Sequence, residues 1–257
     1  MAGGIRTIVQ KFATCYNVTN SMRQSWRFAY TPNKKEIHLT VNGRSVWLRN
    51  NQTDQEVFEA TFLYGYHRSP VALGVSPTIV DLGSNIGLTM LDFKLQYPQS
   101  KVTGVEMDSS NYDLALKNVQ GLPDCSLMHA AIWKENVFIS YTGNDSQSYV
   151  ATIDGATKKV RAITVATLLE EKVIGLIDYL KMDIEGTEYV ILLESQDKSW
   201  LKKTKYLSIE VHDTPTMNKE AGMQALKTEL EKNHFLVFKS ALHWSSLFAI
   251  NQSMVAT

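Results

Sequence analysis

Cysteine is nearly absent from this chain: two in 257 residues, Cys15 and Cys125, in unrelated contexts and without metal-type spacing. That excludes a disulfide framework or a zinc site built on them and points to a reducing compartment, with the cytoplasm as the expectation. An excess of either charge is also missing, since 26 Lys and Arg face 26 Asp and Glu. No overall basic field advertises nucleic acid as a partner, and the short run Lys202-Lys203-Thr204-Lys205 reads as a solvated helix end. No stretch approaches the roughly 20 apolar residues of a bilayer span, so no integral membrane segment is expected. Lys11, Asn17 and Asn20 interrupt the first apolar stretch before a signal-peptide pattern develops. Internal repeats and low-complexity segments are absent as well.

What is there is one pattern that arranges the rest. Thr78-Ile79-Val80-Asp81-Leu82 is a β-branched apolar run with an acid near its end. Gly83-Ser84-Asn85-Ile86-Gly87 is a turn with two glycines, and helical apolar spacing resumes to about Tyr97. Strand, tight loop and helix in this order belong to an open α/β sheet, where ligands bind at the carboxyl ends of strands. Gly83 frees the turn of a Cβ, and Gly87 is expected to let the helix start lie close to a ligand. The spacing is Asp-x-Gly-x-x-x-Gly. The Gly-x-Gly-x-x-Gly that seats a dinucleotide pyrophosphate is missing, which weighs against a nicotinamide-dependent oxidoreductase. A strand-end acid repels pyrophosphate but accepts a cationic or hydroxyl-rich ligand, a description that S-adenosyl-L-methionine fits through its amino group, sulfonium and ribose. Lys101–Glu106 reads as the next strand, and Glu106, 25 residues after Asp81, stands where a carboxylate accepts from ribose hydroxyls. The competing reading of both acids is ordinary capping or surface placement.

Taken in order, residues 1 to about 30 show no firm period and read as weakly helical at best. Lys35–Val41 and Ser45–Leu48 alternate around Asn42-Gly43, a β-hairpin signal. A polar loop, Arg49 to Asp54, leads into a helix through Val57, Phe58 and Phe62, with Thr53 or Asp54 as its N-cap, and forms either a pocket wall or an ordinary turn. Residues 1–70 are therefore read as an N-terminal hairpin and helix extension, and 71–257 as one ligand-binding domain. Strands and helices then alternate, which implies parallel pairing. Ser109–Val119 reads as a helix capped by Ser109 or Ser110, and Ser126–Ile132 as a third strand, whose exit makes His129, Ala130 and Ala131 candidates for adenine contact. Asn136–Tyr141 and Lys159–Ile163 read as extra strands around the polar loop Gly143–Ser148, either a substrate lid or an idle loop. Leu176–Asp183 is the fourth core strand, followed by Ile184-Glu185-Gly186-Thr187-Glu188; three acids around a glycine at a strand exit read as a functional site. Tyr206–Asp213 is the fifth strand, Asn218 to Lys232 an amphipathic helix, and two short runs, His234–Phe238 and Trp244–Ile250, finish a seven-stranded sheet as an antiparallel pair.

These residues together resemble the FkbM-type family of S-adenosylmethionine-dependent methyltransferases over roughly Trp47 to Ile250. The motifs that carry the resemblance are Val80–Gly87, Leu180–Glu188 and Ile209-Glu210-Val211-His212, with the Thr53-Asp54 loop upstream. Glu106-Met107-Asp108 departs from the Glu-Pro common in the family but keeps the acid. The resemblance implies a Rossmann-like methyltransferase sheet, mostly parallel with an antiparallel last strand. It also implies O-methylation of a hydroxyl on a sugar, glycan or secondary metabolite. The residues then expected around the cofactor are Thr53, Asp54, Asp81, Gly83, Ser84, Asn85, Gly87, Glu106, Met107, His129, Ala130, Ala131 and Asp183. Catalysis is expected from His212 or Asp183 as base, with Glu185 third, and from Glu188 and Glu210 as holders of substrate or of the cofactor amine. No metal is expected, because the spacing of these acids and the histidine is not distinctive. The competing reading is a methyltransferase-like domain retained as a non-catalytic binding or scaffold module.

Overall fold

The computed structural model describes residues 2–32, 35–142, 150–152 and 158–255. Its first elements are two helices, α1 (Ala2–Thr19) and α2 (Met22–Tyr30), where only weak helicity is expected from the sequence. Ser21 caps α2, and Cys15 and Phe28 enter one buried cluster with Ile37, Leu48 and Phe58. Packing of a buried face, rather than a regular period, stabilises this hairpin. β1 (Glu36–Val41) and β2 (Arg44–Arg49) pair as expected, with Asn42 and Gly43 at φ 47° and 78°, as a type I′ turn requires.

The helix α3 (Gln52–Glu59) continues as a π-helical turn over Ala60–Tyr64. Its cap is Asn51, whose side chain accepts from the Asp54 amide at 2.7 Å, rather than Thr53 or Asp54. Asp54 is unavailable because Arg49 holds both of its oxygens. The buried cluster of the extension also includes Ile86, Leu88 and Leu91 after the first core strand, and Leu114, so the extension packs directly onto the core.

The core follows with β3 (Thr78–Leu82), α4 (Leu88–Gln96), β4 (Lys101–Glu106), α5 (Ser109–Val119) and β5 (Cys125–His129). Asp108 caps α5, in place of Ser109 or Ser110, by accepting from the amides of Ser110 and Asn111. The expected third strand is split: after β5 the chain turns at Ala130 into β6 (Ala131–Ile132), which joins β7 (Val137–Thr142), β8 (Val150–Thr152) and β9 (Lys158–Ile163) in a second sheet of order β6-β9-β7-β8. The loop Gly143–Ser148 lies outside the described residues. Next come α6 (Val165–Glu171), β10 (Ile177–Met182), β11 (Thr204–Glu210), α7 (Lys219–Lys232), β12 (Phe235–Lys239) and β13 (Ser246–Asn251).

The main sheet has seven strands in the order β5-β4-β3-β10-β11-β13-β12. The first five are parallel, and β13 runs antiparallel to both β11 and β12. The strand order reverses between β3 and β10, which opens a crevice at their carboxyl ends. This is the Rossmann-like methyltransferase sheet expected from the sequence. On one face, Val80, Leu180, Leu207 and Trp200 share an apolar core, and on the other Ile79, Phe93 and Tyr179 share a second, since successive strand residues alternate sides.

Candidate active site

Two adjacent cavities open at the β3–β10 crevice and share Gly83, Asn85, Asp183 and Glu185 as lining. The smaller lies over β4 and the β5–β6 junction, against Glu106, Met107, Ala130, Ala131, Ile132, Trp133 and Ile139. The larger, about 400 Å³, faces β10, β11 and the α3 extension.

The loop after β3 is held from two sides. The amides of Gly83 and Ser84 donate to the Val105 carbonyl at 3.1 and 2.9 Å, and Lys181 Nζ donates to the Gly83 carbonyl at 3.1 Å. Glu106 is buried and accepts from the amides of Asn85 (2.9 Å) and Asp108 (2.8 Å). Burial outweighs these bonds and pushes its carboxyl up to about 7. A carboxylate so placed keeps acceptor capacity toward the cavity, and the apolar and aromatic wall beside it suits a purine; the donor set fits an adenosyl group.

Asp81 lines neither cavity. It is fully buried, Thr89 donates to its Oδ2, and its Oδ1 lies 3.2 Å from Lys181 Nζ. The same ammonium lies 3.2 Å from Asp183 Oδ2. Burial works against the Lys181 charge, but Asp183 and Asp81 hold it protonated. Thus Asp81 anchors Lys181, which in turn faces the larger cavity beside Asp183.

At the β10 and β11 exits a titratable cluster converges. His212 Nδ1 donates to Glu188 Oε1 at 3.1 Å, and Nε2 lies 3.6 Å from both Asp183 Oδ1 and Glu185 Oε2. Glu188 is fully buried and also accepts from the Ile184 amide. Burial would lower His212, yet the Glu188 bond and the carboxylates of Glu188, Asp183 and Glu185 raise it to about 9. Burial and then Asp183 push Glu185 up to about 8 and Glu210 to about 7. Asp183 goes the other way: burial is outweighed by Lys181 and His212, which hold it below the usual carboxylate range. Near neutral pH the arrangement is an Asp183 carboxylate facing a His212 imidazolium.

Asp183, Glu185 and His212 each offer a ligand atom, all within 4.8 Å of one another. The fold therefore gathers three groups that could hold a cation, a proximity that the sequence spacing does not reveal.

Of the other residues expected at the site, Ser84 lines the larger cavity, whereas Thr53, Asp54, Gly87 and His129 line neither. Gly87 serves packing rather than ligand approach: a Cβ there would meet Ala115 Cα of α5 at 3.0 Å. His129 is exposed, donates to the Met107 carbonyl at 3.0 Å and stacks on Tyr112.

Residues absent from the sequence reading also enter. Lys181 was legible in principle, since a lysine inside an apolar parallel strand needs buried partners. His67, whose ring lies 2.9 Å from Asp92, and Tyr66 and His243, whose rings pack at 4.5 Å, reach the larger cavity from distant segments, and no spacing signals them.

Residues 81–237 match the family described as Methyltransferase FkbM domain. The chain is similar to the 31-O-demethyl-FK506 methyltransferase FkbM of Streptomyces tacrolimicus, 24% identical over 197 residues, covering 60% of this chain and 75% of that protein. Among solved structures it is similar to the fibrillarin pre-rRNA processing protein of Methanococcus jannaschii (TM-score 0.48, 10% identity, 87% of this chain and 85% of that one). A second is the fibrillarin of Aeropyrum pernix with natively bound S-adenosyl-L-methionine (TM-score 0.44, 12% identity, 86% and 85%). The family match begins at the strand-end acid Asp81 and runs through Glu106, Asp183 and His212, while Glu56, His67 and His243 of the larger cavity lie outside it. This chain belongs to the FkbM methyltransferase family, whose methyl donor is S-adenosyl-L-methionine.

Proposed function

We propose that the protein transfers the methyl group of S-adenosyl-L-methionine to a hydroxyl oxygen on a sugar, glycan or secondary metabolite, with His212 as general base. One observation carries this reading: the His212 ring is fixed through Nδ1 by buried Glu188 and turned through Nε2 toward Asp183, which lines both cavities. In this reading Glu106, Met107, Ala130, Ala131 and Trp133 hold the adenosyl part, Gly83 and Asn85 frame it, and the acceptor occupies the larger cavity. The donor supplies a methyl already made electrophilic by its sulfonium. The chain must then align an acceptor oxygen and take its proton.

Glu188 fixes the tautomer, because with Nδ1–H donating to a carboxylate the neutral ring offers its lone pair at Nε2. The imidazolium is held by carboxylates that a cationic donor shares on binding. Once Asp183 and Glu185 are shared, His212 gives up its proton more readily and becomes the acceptor for the hydroxyl proton. Asp183, already ionised, orients that hydroxyl.

The test is transfer of labelled methyl from the donor into fractionated hydroxyl-bearing metabolites and glycans. Label in a hydroxyl-derived ether that depends on His212 supports the proposal. Transfer confined to amine or carbon acceptors, or full activity in His212→Gln, overturns it.

A further inference from the structure

We propose that the N-terminal helical hairpin is a docking surface for an anionic phospholipid bilayer. Residues 1–35 contain Arg6, Lys11, Arg23, Arg27, Lys34 and Lys35 and no acid; the first is Glu36. The neutral total thus hides a strongly basic segment beside an acidic remainder of the chain.

On that segment lies a connected aromatic patch. Ring centroids are 6.3 Å apart for Phe12 and Tyr16, 4.7 Å for Phe12 and Trp26, and 5.4 Å for Trp26 and Tyr30. Trp26 is 49% exposed and Tyr30 61%, and Met22 and Val9 extend the patch with 55% and 61% exposure. Met22, Trp26 and Tyr30 follow at steps of four, so they share one face of α2, while Ser25, Phe28 and Ala29 are buried. Arg23 and Arg27 are exposed beside that face. A contiguous exposed apolar patch of this kind marks an interaction surface.

Charge selects the occupant. Trp and Tyr place an apolar body and a polar tip at headgroup level, and arginines pair with lipid phosphates, so such a helix lies in the plane of the interface. A second copy would bring one cationic face against another. Single-stranded nucleic acid needs open ring faces for base stacking, whereas these rings pack on one another and aliphatic side chains continue the patch. Thr14 of α1 donates to Glu59 at 3.4 Å, and Glu59 ends the helix whose Glu56 and Val57 line the larger cavity. The helix that carries Phe12 and Tyr16 is therefore tied to the helix that forms one wall of that cavity.

The test is co-sedimentation of the full chain with vesicles of phosphatidylcholine, with and without phosphatidylserine. Binding to the anionic vesicles, weakened by salt, is expected; Arg23→Glu with Arg27→Glu should weaken it at least about 30-fold. Trp26→Ser with Tyr30→Ser should weaken it about tenfold or more. Both double variants should keep their affinity for S-adenosylhomocysteine, which verifies the fold independently of the patch. No sedimentation, equal sedimentation with neutral vesicles, unchanged binding in both double variants, capture of single-stranded RNA in place of vesicles, or burial of the patch in a dimer would each overturn the proposal.

Discussion

Gly83 and Asp183 touch backbone to backbone: a Cβ on Gly83, which sits at φ +83°, would lie 1.8 Å from the Asp183 carbonyl oxygen. The loop after β3 and the exit of β10 are thus pressed together at the wall common to both cavities. Gly83→Ala forces one of them away and strains the turn. The expected loss is about 2 kcal/mol or more of stability, together with loss of donor binding. Thermal unfolding and calorimetry with S-adenosylhomocysteine measure the two, and an unchanged pair of values would contradict the close contact.

The donor site proposed around Glu106 predicts an affinity that depends on pH. Its carboxyl is raised to about 7 by burial, so below that pH it is protonated and is a poorer acceptor for a ribose diol. From about pH 6 to about pH 8 the affinity for S-adenosylhomocysteine should rise by up to about tenfold as the carboxylate forms. Glu106→Gln should bind more weakly with a flat profile. A wild-type affinity independent of pH would remove Glu106 from the donor site.

The base assignment predicts an alkaline limb. With His212 raised to about 9, kcat/KM should increase as pH rises toward that value and then level off. His212→Gln should lose about 10²- to 10⁴-fold in kcat and the limb with it. The same shift stabilises the folded chain fully below the ordinary histidine pKa of 6.5, and that contribution disappears as pH passes through about 9. The melting-temperature difference between wild type and His212→Gln should therefore shrink over this window. A rate profile unchanged by the substitution would exclude His212 as base.

Among the described residues, Lys181 is the cation that pairs with buried Asp81, at 3.2 Å. Lys181→Met leaves that carboxylate without its counter-charge and should cost about 3–5 kcal/mol. Adding Asp81→Asn should recover part of the loss, since the two residues are directly coupled. Additive losses in denaturant unfolding would argue that the pair does not act as a unit.

Chelation separates base from ligand at the same residues. If His212 takes the proton, exhaustive EDTA treatment should leave methyl transfer unchanged. A loss restored by Mg²⁺ or Mn²⁺ would make Asp183, Glu185 and His212 a metal centre and His212 a ligand.

Much of the architecture is local and therefore legible from residues alone. The Val80–Gly87 pattern fixes a strand, a turn and a helix start, Asn42-Gly43 fixes a hairpin, and alternating strands and helices fix a parallel sheet, because each depends on neighbouring residues or on a period. The α1–α2 hairpin was not legible, because its stability comes from Cys15 and Phe28 meeting residues of β1, β2 and α3. Two caps lie one to three residues from where the sequence puts them: Asn51 caps α3 because Arg49 holds Asp54, and Asp108 caps α5 through Oδ1 while Lys158, 50 residues on, fixes its Oδ2 at 2.6 Å.

At the site the division is the same. The sequence alone determined which strand ends carry acids, and hence that Asp81, Glu106, Asp183 and His212 gather at one edge of the sheet. Tertiary structure decided what each acid faces: it sank Asp81 onto Lys181, left Glu106 at the cavity and turned Gly87 to packing. It also brought Glu188 against His212. A period of two or 3.6 residues tells which side of an element a residue occupies, but the partner across the gap comes from elsewhere in the chain, and that partner sets the charge.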